Sequence, residues 1–385
     1  MITRRNFHSQ LACLVGGSIA SSRFVFADQA PSTIQGRRLV TVFLQGGNDG
    51  LNTVIPALDP LYRHYRPELS INPEKAISLD RDMFLHPSLQ GLGKVWEAGR
   101  LRIQQGVGYP GHSRSHFESS AVWSEGRLNA RSPSFDGWLA RTLDPLQQSS
   151  ESPLACAIDS TETPELLRGR LTRTTTLPKV PSQQAARLAK RLQPMASTQN
   201  DNELHQLVDR ARRDATDALR RSSESQRSQL DFPETEFGQR IRQVATVIDA
   251  MPDVRAIHVR HEGYDTHSAQ RGRHAGLLRE LGDGLRALDN FLAKSGNSES
   301  TLVMVFSEFG RRVQENASIG TDHGAAGPVL FLGGVSQPGL FGSNPNLEQL
   351  VRGDVAVSQD LREIHQGIAS WLVANDDSLA LPGNG

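Results

Sequence analysis

The chain has 385 residues, of which 42 are Lys or Arg and 42 are Asp or Glu, so its formal net charge at pH 7 is zero. That balance removes any global electrostatic case for nucleic acid or for an acidic macromolecular partner. A chain of this length can bury one large core and still carry an insertion.

The first residues read as an export address. Thr3-Arg4-Arg5-Asn6-Phe7 has the form of a twin-arginine signal core, and an apolar run rich in Gly, Ala and Ser follows from Leu11 to Ala20. The run is roughly half of the ~20 residues a membrane span needs, too short for a transmembrane helix. Val25-Phe26-Ala27 suits cleavage after Ala27, so residues 1–27 are expected to be removed on passage through the twin-arginine machinery to the periplasm or the exterior. No later run approaches a membrane span. Cys13 leaves with the signal segment, and Cys156 alone cannot form an intramolecular disulfide.

Arg38–Leu44 (RLVTVFL) is a continuous apolar run of the kind that buried parallel strands show. It ends in Gly46-Gly47-Asn48-Asp49-Gly50, a turn where backbone must pass close to something. Leu89, Leu92, Val95 and Trp96 predict a helix within Pro87–Ala98, and Leu101–Val107 predicts the next strand. Gly111-His112-Ser113 then leads into a helix over Ser115–Trp123, which completes a βα unit. From Arg141 to Phe232 the chain turns polar and reads as an insertion or cap, helical around Asp201–Ser222. The α/β alternation resumes with a helix at Phe237–Met251, a strand at Val254–Val259 and an amphipathic helix at His267–Phe291. Thr301–Phe306 and Val329–Leu332 read as strands, and Leu361–Val373 as a closing helix. The expected fold is an α/β domain over residues 28–385, with a doubly wound, mostly parallel sheet, helices on both faces and a polar, largely helical insertion at 141–232.

The residues that carry chemistry follow these strands, where open α/β sheets bind ligands. Asp49 follows the first strand, as a metal-ligating carboxylate or simply a turn residue. His261-Glu262-Gly263-Tyr264-Asp265-Thr266-His267 sets Asp265 and His267 two residues apart, able to face the same way, with His258 close by. Ser307-Glu308-Phe309-Gly310-Arg311 offers Glu308 as a metal ligand and Arg311 as a clamp for phosphate or sulfate. Arg114 is the second candidate for orienting that anion. Thr321-Asp322-His323-Gly324 offers His323. Ser113 and Ser115 stand at a helix start, where a serine either caps the helix or, with its pKa lowered by a metal, acts as a nucleophile. No Gly-x-Ser-x-Gly elbow, Walker motif or dinucleotide fingerprint follows a strand, which removes the case for a serine-triad hydrolase or a nucleotide site.

These motifs, in order, resemble the DUF1501 proteins: the twin-arginine start, VFLQGGNDGLNTVIP, HPSL, GVGYPGHSRSHFESSAVW, GYDTH, VFSEFGRR, TDHGAAGPVLFLGG and DLREIHQGIASWL. That family is grouped with the alkaline phosphatase-like superfamily, which includes sulfatases and cofactor-independent phosphoglycerate mutases. The resemblance implies a doubly wound α/β core and a one- or two-metal site, typically zinc, with manganese, magnesium or calcium as the other ions. On it, Asp49 matches the first-strand metal aspartate, Ser115 the nucleophile, Asp265 and His267 the Asp/His metal pair, and His323 the late histidine ligand. Glu308 falls where relatives carry an Asp-His pair, and Phe309 stands where the histidine would be. The function implied is a periplasmic metal-dependent hydrolase of a small phosphate or sulfate ester. The other class is a non-catalytic exported protein that keeps the fold and one structural metal and binds a partner or glycan.

Overall fold

The computed structural model describes residues 36–128, 136–160, 162–177, 231–334, 337–373 and 379–383, with five further residues between 213 and 220. The expected signal segment and the helix expected near Asp201–Ser222 fall largely outside the described residues. In chain order the strands are β1 (Arg38–Gln45), β2 (Val54–Ile55), β3 (Ile77–Ser78), β4 (Phe84–Leu85), β5 (Leu101–Gly108) and β6 (Ala155–Ile158). They continue with β7 (Thr174–Leu177), β8 (Ala256–Glu262), β9 (Thr301–Phe306), β10 (Gly327–Leu332), β11 (Gly339–Phe341) and β12 (Gln359–Asp360). The helices are α1 (Pro60–Tyr65), α2 (Gln90–Glu97), α3 (His116–Glu125), α4 (Trp138–Gln147), α5 (Glu236–Ala250), α6 (Gln270–Ser295) and α7 (Leu361–Val373).

Nine strands of the described residues form one sheet in the order β11-β5-β10-β9-β1-β8-β6-β7, with β12 also paired to β5. β1 lies at its centre, parallel to β8 on one side and β9 on the other. Only β10 runs against the rest, antiparallel to both β9 and β5. The reason lies in its connection. A parallel neighbour needs a crossover, usually a helix, and the segment 307–326 between β9 and β10 contains none. The chain therefore turns back beside β9, and this segment starts and ends at the same edge of the sheet.

Helices cover both faces. Val40, Val42, Val303 and Val305 point to a core that α2, α5 and α6 close with Leu92, Ile241 and Leu281. Alternate residues Leu39, Leu302, Met304 and Phe306 point to a second core closed by α3, α4 and α7 with Trp123, Leu139, Ile368 and Trp371. Alternation along each strand thus feeds two separate apolar layers, the arrangement expected from the sequence.

The first part of the polar stretch, up to residue 177, packs with the main sheet and its core. Within the stretch 141–232, β6 and β7 extend the main sheet beyond β8, and Leu143, Leu154 and Leu167 belong to the second core. These strands are four residues long, and ACAI and TTTL do not stand out from polar surroundings. The helix expected from His267 starts at Gln270 instead, because the preceding residues form a loop that ends at Ala269 with a φ of 44°.

A buried ion pair fixes the segment after β1. Arg66 Nη1 lies 2.7 Å from Asp49 Oδ2, and neither side chain is more than 1% exposed. The other Asp49 oxygen accepts from the Asn52 backbone N–H, while Arg66 also donates to the carbonyls of Val313 and Arg312. Burial alone would raise the Asp49 pKa, but the charge and hydrogen bonds of Arg66 outweigh it and hold the carboxyl below the usual range. With its folded-state pKa depressed, Asp49 contributes stability that is fully present above about pH 4 and is lost as pH falls through the folded-state pKa. Asp49→Asn, which leaves the Arg66 charge buried and unpaired, is expected to cost about 3–5 kcal/mol in urea unfolding at pH 7 and to flatten the acid limb of the stability profile. An unchanged profile would contradict this role for the pair.

Candidate metal centre

Four side chains meet at the carboxyl edge of the sheet. Asp265 and His267 come from the loop after β8, His323 from the end of the β9–β10 segment, and His116 from the first position of α3. Asp265 Oδ1 lies 3.0 Å from His267 Nε2, 3.1 Å from His323 Nε2 and 3.6 Å from His116 Nε2. The two nitrogens His267 Nε2 and His323 Nε2 are 2.9 Å apart. One ligand atom each from His116, Asp265 and His323 lies within 4.8 Å of the other two.

The far side of each ring settles what the near side presents. His323 Nδ1 is 2.7 Å from the Arg114 carbonyl, which can only accept, so Nδ1 carries the proton. His116 Nδ1 faces Glu308 Oε1 at 2.8 Å, and His267 Nδ1 faces Asp322 Oδ1 at 3.1 Å. With Nδ1 so engaged, each ring in its neutral form has its Nε2 lone pair on the side of Asp265 Oδ1. In that form the lone pairs and the carboxylate oxygen repel one another unless a proton or a metal cation lies between them. A hydrogen-bonded outer nitrogen and a free inner one is also how metal-bound histidines are held. The donor set fits a divalent ion.

The hydrogen bond that His116 donates to Glu308 raises the His116 pKa against the opposing effect of burial. Burial works to raise the pKa of Asp265, but the hydrogen bond and charge of Arg311 dominate and hold it at about 2. Asp265 is 47% exposed and His267 43%, so the ligand atoms are open to solvent, while Glu308 behind them is 1% exposed.

The loops carrying these ligands are tied from below. Arg311 Nε donates to the Gly47 carbonyl at 2.7 Å, Nη1 to Thr321 at 2.7 Å, and Nη2 to Tyr264 at 3.0 Å, to Gly46 and to Asp265 Oδ1 at 2.6 Å. Gln270 adds a second tie: its amide oxygen accepts from Thr266 at 3.0 Å and Thr321 at 2.7 Å, and its nitrogen donates to Asp49. Gly46, at a φ of 119°, permits the close approach. A side chain there would run into the Asp265 backbone nitrogen.

Of the residues expected to form the site, Asp265, His267 and His323 come together, while five take other positions. Asp49 does not reach the cluster, because both its oxygens serve Arg66, Asn52 and Gln270. Glu308 lies behind the ligands and orients His116, also accepting from the Gly46 N–H at 2.9 Å. Arg311 is no anion clamp: its side chain is fully buried and bound to four carbonyls and Asp265. The Arg114 guanidinium turns to Asp354 at 2.7 Å, and only its carbonyl touches the site. Ser115 caps α3, accepting from the Glu118 N–H at 3.4 Å, and its hydroxyl stays exposed one residue before His116. Of the neighbouring histidines, His258 bonds Thr41 and His261 stacks on Phe237, both buried and pushed down to about 3 by burial.

His116 is the residue that sequence reasoning missed. It lies within GHSRSHF as the first residue of α3, where nothing in the local pattern separates a ligand from an ordinary helix-start residue. Phe309, in the place of an expected histidine, sets its ring 4.9 Å from that of His116 and 4.7 Å from that of His323 and walls the cluster on one side.

Arg311→Lys keeps the charge but loses the planar fork, leaving backbone carbonyls of three site loops without donors. It is expected to lower stability in urea unfolding by about 3 kcal/mol and to loosen divalent-ion binding in the same protein. Wild-type stability in that variant would contradict the clamp.

Among solved structures the chain is similar to Ps i-CgsB, with a TM-score of 0.43 and 11% identity over 91% of this chain and 75% of that one. It is also similar to the C-terminal periplasmic domain of EcEptC from Escherichia coli in complex with Zn, with a TM-score of 0.43 and 9% identity over 90% and 84%. A third is a protein in the alkaline phosphatase superfamily from Vibrio parahaemolyticus, with a TM-score of 0.40 and 10% identity over 88% and 66%. No curated protein matches the sequence. A family model described as "Protein of unknown function (DUF1501)" matches residues 91–379, a span that contains all four residues of the cluster. The chain belongs to the DUF1501 family.

Proposed function

We propose that the chain is a metal-dependent hydrolase of a phosphate or sulfate ester, working in the periplasm or outside the cell. The observation that carries this reading is that His116, His267 and His323 each bring Nε2 within 3.6 Å of Asp265 Oδ1. A set dominated by imidazole favours zinc, since magnesium and calcium prefer oxygen and manganese sits between. A divalent cation held there would polarise an ester oxygen and stabilise negative charge as the ester bond breaks.

The chain's own groups supply the rest. Glu308, Asp322 and the Arg114 carbonyl hold the three imidazoles in one tautomer, which keeps their Nε2 atoms available for the ion. Ser115 is the proposed nucleophile: its hydroxyl stands at the positive end of α3, where a developing alkoxide is stabilised. Its Oγ would bond to the phosphorus or sulfur as the alcohol leaves, and water would then release the anion and restore the hydroxyl.

Metal analysis of protein exported in its native host should find one divalent ion per chain. Removal by a chelator should lower the melting temperature, with zinc restoring it, and His116→Ala or His323→Ala should abolish that recovery. Glu308→Gln should weaken binding by about 10–100-fold, as loss of a partner behind a ligand does. Binding that survives His116→Ala unchanged would remove the centre described here.

On phosphate and sulfate esters, Ser115→Ala is expected to lower turnover on the order of a hundredfold or more while metal content stays the same. Unchanged turnover in that variant would leave water, not the serine, as the attacking group. No turnover of any such ester by the metal-loaded wild type would contradict the hydrolase reading.

A further inference from the structure

Beside the histidine cluster lies a cleft of about 890 Å³, lined by residues of α3, β1, β8 and β9 and reaching His116, Asp265 and Glu308. Nothing in the metal chemistry needs this space. A bare phosphate or sulfate would fill only a small part of it, and the volume lies in the range of sites that take whole organic ligands (~300–1,000 Å³). Its walls carry aromatic rings in series: Phe43 stacks on Phe306 with centroids 5.2 Å apart, and Phe306 on Trp123 at 4.8 Å. His258 adds a fourth ring, tilted 6.5 Å from Phe43 and kept neutral by burial.

Phe117 stands on the lining at the start of α3, directly after His116. It is 80% exposed, the most exposed large apolar side chain among the described residues. An aromatic ring left in water costs free energy that burial against a ligand would recover. Its position makes it the rim of a pocket that begins at the metal ligands and continues into a stack of rings.

We propose that this cleft is the subsite for the alcohol part of the ester, and that the alcohol part is an aromatic group. The assignment rests on the hydrolase reading above and adds what that reading lacks, the class of substrate. With the anionic head at the histidine cluster, the ring of the alcohol would enter between Phe117 and the Phe43–Phe306–Trp123 wall.

The test is a calorimetric comparison of naphthylmethylphosphonate, methylphosphonate and a hydroxyl-rich glycosyl phosphonate on the zinc-loaded protein, with 2-naphthol as an arm that lacks the anion. The naphthyl compound should bind at least tenfold more tightly than the other two phosphonates. Phe117→Ala, at an exposed position that the fold does not depend on, should remove roughly tenfold of that preference. Ser120→Trp, which fills the cleft, should abolish naphthyl binding and leave methylphosphonate binding intact. Equal binding of all three phosphonates, or a preference for the glycosyl compound, overturns the aromatic assignment and leaves the hydrolase reading standing. Binding of 2-naphthol alone, lost in both variants, upholds the subsite even where no phosphonate binds and the hydrolase reading fails. Absence of binding by all four compounds overturns both.

Discussion

The site depends on one buried guanidinium. Arg311 reaches the loop after β1 through Gly46 and Gly47, the loop after β8 through Tyr264 and Asp265, and the β9–β10 segment through Thr321. Loops at a strand edge present carbonyls that regular structure no longer satisfies, and an unpaired buried carbonyl is costly. A planar cation with five donors satisfies several at once and fixes the loops relative to one another. It also lies against the oxygen at the middle of the histidine cluster, so the geometry of the ligands and the stability of the loops rest on the same side chain.

The antiparallel return of β10 is the second constraint. Because the segment 307–326 leaves and rejoins the sheet at one edge, a single connection delivers Glu308, Phe309 and Arg311 at its start and His323 at its end. A crossover to a parallel strand would have carried the chain across a face of the sheet and re-entered at the opposite edge. Charge is arranged in two layers around this connection. Three imidazoles and Asp265 lie in front, while Glu308 and Arg311 lie buried behind and hold them.

Much of this was legible in the residues. The buried strands read at Arg38–Leu44 and Thr301–Phe306 announce themselves as apolar runs, and Asp265, His267 and His323 stand directly after predicted strands or close before one. What was not legible has physical causes. The four-residue strands β6 and β7 carry no pattern strong enough to separate them from a polar stretch. Asp49 and Arg311 look like functional charges because the sequence does not reveal burial, and each is consumed by partners far along the chain. His116 is a helix-start residue whose part in the site exists only once α3 docks beside Glu308, 192 residues away in the chain.

The most direct test of the central claim is X-ray absorption at the zinc edge of the zinc-loaded protein. The account predicts a first shell of nitrogen and oxygen at about 2.0–2.1 Å, with the multiple-scattering signature of three imidazoles, reduced to two in His116→Ala. A shell of oxygen without imidazole scattering, or one unchanged by that substitution, would contradict it.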